Sequence, residues 1–283
     1  MKPPPLKVAR PETLEEAVRV LSEYEDAKVI AGGQSMVPML NFRLARPSVL
    51  VDLSRVPDLT AIRIDGDEVV IPARATHAEV EQSPQVRDRC PLIPKALRFV
   101  GHLQIRNRGT VCGSIAHADP AAELPAVAVA TGAGIVALSS RGRRRIDAAD
   151  FFVGLFMTSL EPDELIVEVR FPSHARARTS FVELTRRAGD FPIVGIAALL
   201  ETAEDIVERV RLAAAGVGAT PFRLLRAEAA LTGARVGEGV DRAATEAATE
   251  APAQGDIHAD ADYRRDAVAV LVRRAIRAAE GRA

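Results

Sequence analysis

The sequence predicts an α+β fold: two α/β subdomains over residues 1–55 and 56–174, then a small α+β domain over 175–283. Three observations predict it. Short apolar runs alternate with helix-like amphipathic stretches through the first 170 or so residues. Asp65-Gly66 and Arg141-Gly142 punctuate pairs of such runs as hairpins. After a polar, basic connection at 173–179, the pattern changes to three longer apolar strands followed by helices.

In chain order, Thr13-Leu14-Glu15-Glu16 reads as a capping box, the Thr13 hydroxyl on the N–H of Glu16 and the Glu16 carboxylate reaching back. Leu14, Ala17, Val18 and Leu21 then recur at helical spacing. A strand at Val29 and a second apolar run at 49–53 complete a βαβ-like layer. Ile62 and Ile64, then Asp65-Gly66, then Val69 to Ile71 describe a hairpin, since Asp-Gly supplies the positive φ values of a tight primed turn. Thr76-His77-Ala78-Glu79 is a second capping box before a short helix broken near Pro84, and 94–103 reads as one longer helix. Residues 126–130 form an apolar helix or a buried strand. Strands follow at 134–138, 143–146 and 165–171, the last stopped by Pro172. Beyond the connection, 180–185, 193–200 and 207–217 predict a three-stranded antiparallel sheet, with helices at 222–231 and 264–277 and one exposed helix within 237–262.

Composition narrows the function classes. With 283 residues, 48% of them apolar, the chain can fill a globular core. A net charge of -1 offers no field for nucleic acid or an anionic membrane. Met1-Lys2-Pro3-Pro4-Pro5 lacks the apolar core of a secretory signal, and no apolar run approaches the roughly 18 residues of a membrane span. A cytoplasmic location is expected. The two cysteines, Cys90 and Cys112, are too few and too far apart for an iron–sulfur cage, so any metal centre is expected on other polypeptides.

Two stretches carry the chemistry. Lys28-Val29-Ile30 runs into Ala31-Gly32-Gly33-Gln34-Ser35-Met36. Adjacent glycines there reach positive φ cheaply and, without Cβ atoms, let backbone N–H groups approach a phosphate oxygen. Gln34 and Ser35 add side-chain donors. The second stretch, Thr110-Val111-Cys112-Gly113-Ser114 through Pro125, reads as another small-residue loop. Two such loops can clamp a diphosphate from two sides, although a tight turn after a strand explains either one alone. Neither fits G-x-G-x-x-G or the P-loop pattern, so the nucleotide fold is another one.

Ala31 to Ser35, followed by Pro38, Leu40, Arg43-Leu44, Pro47 and Val51-Asp52-Leu53, resembles the first flavin-binding motif of a known family. That family is the FAD-binding medium subunits of molybdenum hydroxylases, the xanthine dehydrogenase and carbon monoxide dehydrogenase type. The 110–125 stretch resembles its second motif. Matches continue in order through Arg106-Asn107, Asp150-Phe151-Phe152, Glu164-Leu165-Ile166, Arg186-Arg187, Gly189-Asp190 and Tyr263-Arg264-Arg265. The resemblance implies a PCMH-type, vanillyl-alcohol-oxidase-like FAD domain over 1–174 and a CO dehydrogenase flavoprotein C-terminal-like domain over 175–283. It implies FAD held by Ile30 to Met36, by Thr110 to Ser114, by Glu123 and by Ile166. It further implies an oxidoreductase subunit that takes electrons from a 2Fe–2S small subunit and passes them to an external acceptor, while a molybdopterin large subunit hydroxylates the substrate.

Two positions depart from the family pattern. Glu123 stands where an aspartate usually contacts the flavin nucleotide; an exposed acid near a helix start is the alternative. Cys112 stands where most relatives carry glycine. If that position needs positive φ, its Cβ costs roughly 1–2 kcal/mol; otherwise Cys112 is a small buried filler. By resemblance Arg186, Arg187, Asp190 and Phe191 approach the isoalloxazine ring, and Val100 matches a ring-contacting position; exposed-charge and core roles are the alternatives. His117 and Asp119 suggest a proton relay, or a loop that Asp119 shapes by bonding local N–H groups. His77 and His102 read as helix residues. Two other functions remain open: an assembly or maturation homologue that has lost tight flavin binding, and a free-standing flavin oxidase, against which stands the lack of a recognisable base beside a substrate pocket.

Overall fold

The computed structural model describes residues 2–281; Met1, at the head of the proline-rich start, lies outside them. The first layer holds β1 (Lys7–Ala9), α1 (Leu14–Glu23), β2 (Lys28–Ile30), α2 (Met36–Asn41) and β3 (Val49–Asp52). Its strands are parallel, in the order β1-β3-β2. Sequence reasoning missed β1, three residues at a sheet edge with Lys7 and Val8 exposed, too short to show a period. Thr13 caps α1 by accepting the Glu16 N–H at 3.1 Å. The Glu16 carboxylate takes the N–H of Glu12 instead of returning to Thr13, so only half of the expected box forms.

The second subdomain runs through β4 (Arg63–Asp65), β5 (Glu68–Pro72), α3 (His77–Gln82), α4 (Pro84–Arg89), α5 (Leu92–Leu97), α6 (Leu103–Arg106), α7 (Val111–His117) and α8 (Glu123–Thr131). It continues with β6 (Gly134–Ser139), β7 (Gly142–Asp147), α9 (Ala148–Phe151), β8 (Phe152–Gly154), β9 (Met157–Thr158) and β10 (Leu165–Pro172). Five of these strands form an antiparallel sheet in the order β4-β5-β10-β6-β7. The last strand in sequence is therefore its centre. A bulge between Ile166 and Glu168 lets β10 bury Leu165 and Val167 against the first layer, and Ile166, Val169 and Phe171 on the helical side.

Three local expectations are corrected here. Asp65 pairs with Glu68, so Gly66 and Asp67 occupy the turn, and of these only Gly66 has positive φ, +60°. The single helix at 94–103 is two, α5 and α6, parted near Gly101 at φ +48°. The 110–125 stretch is not one loop: it forms α7 and the start of α8, joined by a short turn at 118–122. Thr110 Oγ1 caps α7 by accepting the Gly113 N–H at 3.0 Å, and burial of Val111, Cys112 and Ile115 outweighs the poor helix propensity of the small residues. Helix α8 is buried at all nine positions, which erases the period that would have told helix from strand.

The C-terminal part comprises β11 (Arg178–Leu184), β12 (Val194–Ala203), β13 (Ile206–Ala215), β14 (Phe222–Arg223), α10 (Leu225–Leu231), α11 (Val240–Glu250) and α12 (Ala261–Glu280). The three long strands expected are joined by β14, cut from the start of the helix expected at 222, in the antiparallel order β11-β12-β13-β14. Helix α11 lies where an exposed helix was expected, yet Val240, Ala243, Ala244 and Ala247 are buried in the core it shares with α10 and α12.

Both faces of this sheet are covered. Along β11, Ser180 donates to Ala275 O of α12 at 2.6 Å, and Val182 and Leu184 pack on that same side. The alternate residues turn the other way. Lys95 of α5 donates to the Thr179 hydroxyl at 3.1 Å, and the Phe181 ring lies 5.6 Å from that of Phe99, in one core with Leu97, Leu124 and Ala126. The C-terminal sheet thus lies over α5 and α8.

Candidate cofactor-binding site

After β2 the chain turns through Ala31-Gly32-Gly33-Gln34-Ser35 into α2. Gly33 sits at φ +74°, a conformation side chains rarely adopt. Gly32 is constrained differently: a Cβ there would lie 2.0 Å from Arg108 O and 2.8 Å from Gly109 Cα. The first loop therefore rests backbone to backbone on the segment entering α7. Among the described residues, the N–H groups of Gly33, Gln34 and Ser35 donate to no acceptor, and all three residues are half-buried. Gln34 Nε2 bonds Gly32 O at 3.3 Å, and Ser35 makes no side-chain cap bond to α2. Unspent donors beside a positive-φ glycine, in a seam without room for a Cβ, fit the diphosphate of a dinucleotide. Ile30, Ala31 and Met36 flank this loop and are half-buried too.

On the other side of the seam, α7 has already used part of its first turn. Val111 N–H donates to Ala75 O at 3.3 Å, and Gly113 N–H to Thr110. Val111 and Cys112 point their side chains into the core. Cys112 Sγ lies 3.5 Å from Ile71 O, and burial pushes its thiol far above the usual range. Position 112 is helical without positive φ, so the strain considered for it is absent and the filler role holds. Gly113 and Ser114 remain half-buried. His77 packs beneath the seam, where a Cβ on Gly109 would meet its Cε1 at 3.1 Å; burial first, then the Arg106 charge, push its imidazole to about 4, leaving it neutral.

Glu123 opens α8 and is 4% exposed, so it is not the exposed acid considered as an alternative. Burial pushes its carboxyl up to about 8, with Glu183 and Asp119 opposing its ionisation further. Asp119 shapes the loop as expected, accepting the Ala121 N–H at 2.9 Å. Because the folded value of Glu123 stands above the ordinary 4.5, the folded state keeps a proton that the unfolded state has released between those pH values. Stability from this group therefore falls as pH rises through the window, by up to about 1.4 kcal/mol per unit. Glu123→Gln is expected to gain about 2–4 kcal/mol relative to wild type between pH 5 and 8 in urea unfolding. A difference that stays flat with pH rejects a protonated buried acid.

The remaining sequence-derived positions lie further out. Ile166 is buried on β10 opposite Ala137, in the same core as Val111 and Cys112, and Val100 packs partly buried against it. Arg187 pairs with Asp190 at 3.1 Å and Arg186 with His258. Their loop folds onto the α5–α6 connection, since a Cβ on Gly189 would lie 3.2 Å from Gly101 C, and Phe191 on it is exposed. His102 is the residue before α6, not one inside it. Sequence reasoning missed the Gly32–Arg108 contact, the packing of His77 on Gly109, and Glu183. No local signal marks the first two, because the partners are distant in sequence.

Comparison with known proteins identifies the family. Residues 4–174 match the family described as FAD binding domain in molybdopterin dehydrogenase, and residues 179–279 match the CO dehydrogenase flavoprotein C-terminal domain. The chain is 41% identical to the nicotine 6-hydroxylase medium subunit of Paenarthrobacter nicotinovorans, over 98% of each chain. It is 36% identical to the carbon monoxide dehydrogenase medium chain of Hydrogenophaga pseudoflava, over 100% of this chain and 99% of that one. A solved structure of carbon monoxide dehydrogenase from the same organism superimposes with a TM-score of 0.96 at 38% identity, covering 100% of this chain and 99% of that one. With both domain families matched in order, the chain belongs to the FAD-binding subunits of the molybdopterin dehydrogenases, a family of oxidoreductase components.

Proposed function

We propose that this chain is the electron-transfer subunit of a three-part molybdenum hydroxylase in the cytoplasm. It takes electrons from a 2Fe–2S small subunit and passes them to an external acceptor, while a molybdopterin large subunit transforms the substrate. The observation that carries this reading is the Gly32–Arg108 seam with its free N–H groups at Gly33, Gln34 and Ser35. Those groups hold the diphosphate, with Ile30, Ala31 and Met36 around them. Thr110 to Ser114 close the opposite side through their backbone, Glu123 holds a proton near the nucleotide, and Ile166 supplies apolar packing. FAD held there would supply the redox chemistry. The protein's part is to bind the cofactor, orient it and exclude water. Residues 1–174, as subdomains 1–55 and 56–174, form the FAD-binding domain, and 175–283 cover it.

Cys90 and Cys112 are both buried and lie on different elements, in keeping with clusters carried by partner chains. A flavin-free assembly homologue draws support from Cys112 and from the scarcity of aromatic residues, with no tryptophan and two tyrosines; Cys112 is an unstrained core residue, which removes the first of these. Among the described residues no helix is long and apolar enough to cross a membrane. Purification from the native cell is expected to give a yellow-brown complex of three chains whose acid precipitation leaves FAD in the supernatant. Flavin retained in the pellet, FMN alone, or rapid substrate-dependent bleaching of the isolated chain each contradicts the proposal.

A further inference from the structure

Glu183 lies outside every motif discussed above. It sits on β11, on the face that carries Thr179 and Phe181, so the alternation of the strand turns it away from α12 and toward the helices of the first domain. Its Oε2 is buried and bonded to nothing among the described residues. Across the junction, Glu123 is 4% exposed, and its carboxyl is bonded by its own backbone N–H. The two domains are fastened at this place, since Gly216 N–H donates to Pro120 O at 2.8 Å, three residues before Glu123. A buried carboxyl oxygen without a partner, as at Glu183, beside a second acid served only by its own N–H, is expensive to keep.

We propose that Glu183 is a binding residue of the FAD site, contributed by the C-terminal domain, and that together with Glu123 it takes up sugar hydroxyl groups of the nucleotide and not its phosphates. This rests on the function proposed above. The chemistry selects the hydroxyls. A protonated carboxyl donates one bond and a carboxylate accepts, while a sugar hydroxyl both donates and accepts, so the set closes. A diphosphate beside two acids has only repulsion to offer.

Burial pushes Glu183 to about 7 and Glu123 to about 8. Asp119 adds negative charge beside Glu123, and His117, at the end of α7, faces Asp119. Lys95 of α5, which reaches β11, is committed to Thr179. Binding FAD encloses the pair further and brings phosphate charge nearer, so the bound state holds protons more tightly than the free one. Affinity is then constant at low pH and falls as pH rises above about 7.

The test is FAD titration of the deflavinated full-length chain at pH 6, 7.5 and 9, for wild type, Glu183→Gln and Glu183→Ala, with circular dichroism at each pH. Wild-type Kd is expected to rise at least about tenfold from pH 6 to 9. Glu183→Gln, which removes one proton and the repulsion on Glu123, should reduce that rise to about threefold or less while keeping tight binding at pH 6. Glu183→Ala should weaken binding at pH 6 by about tenfold. If Glu183→Ala loses its fold, the pH profile of Glu183→Gln decides alone. A Glu183→Gln profile that tracks wild type overturns the inference while leaving the FAD assignment intact. A wild-type chain that binds no FAD overturns both.

Discussion

Gly32→Ala is expected to abolish tight FAD binding while leaving the secondary structure in place. The added Cβ would stand 2.0 Å from Arg108 O, and what it meets is backbone, which cannot rotate aside as a side chain can. Nor is that segment free to retreat. Gly109 N–H is bonded to Ile105 O at 2.7 Å, and Gly109 O accepts the His77 N–H at 2.8 Å, so the whole entry to α7 is pinned from two sides. Overpacking of this kind costs typically about 1–3 kcal/mol, and a backbone contact belongs at the upper end. The first loop is the softer partner and yields, carrying Gly33, Gln34 and Ser35 with it. A loss of about 3 kcal/mol in cofactor binding is a Kd raised roughly a hundredfold. Flavin fluorescence titration reads that change, and a thermal melt of the apo-protein separates it from lost stability. Wild-type affinity in Gly32→Ala means the seam is not part of the site.

What the sequence made legible follows from the range of the forces involved. Capping and turn chemistry are local, so Thr76, whose hydroxyl and backbone N–H trade bonds with Glu79, was readable four residues at a time. The apolar alternation of β10 announced a strand, but not that it would be central, because burial on both faces depends on which layers later cover it. The second motif reads as a loop in the sequence and is largely helical in the structure. Its Gly and Cys argue against helix locally, whereas the Val111, Cys112 and Ile115 stripe gains from a core supplied by β5 and β10. Gly32 was legible as a turn glycine, yet its real constraint is Arg108, 76 residues away, which no periodicity encodes. Glu183 was hidden for the same reason: on a half-buried strand an acid reads as the solvent face, and only the α5 and α8 layer above it shows otherwise.

The two residues that follow Gly32 in function separate backbone from side-chain recognition. Gly33→Val is expected to lower FAD affinity about a hundredfold or more, and Ser35→Ala only about two- to tenfold. At φ +74° valine is a steric outlier, costing about 1–2 kcal/mol for any Cβ and more for a branched one. The nearest atoms to that Cβ, Ile30 Cδ1 and Val37 Cγ2 at 3.3 Å, can give way, so the packing term is minor and the backbone term dominates. To escape the strain the loop must rotate the peptide units on either side of residue 33. That turns away the N–H groups that have no acceptor within the described chain and are free for the diphosphate. Ser35 is a different case. Its hydroxyl makes no cap bond to α2, so removing it costs the fold nothing and costs the complex one hydrogen bond, about 0.5–1.5 kcal/mol, or more if the phosphate charge assists it. Dissociation constants for both variants, with circular dichroism to show that each is folded, test the order. Equal losses would place recognition in side chains, and a folded Gly33→Val that binds FAD like wild type would remove the diphosphate from this loop altogether.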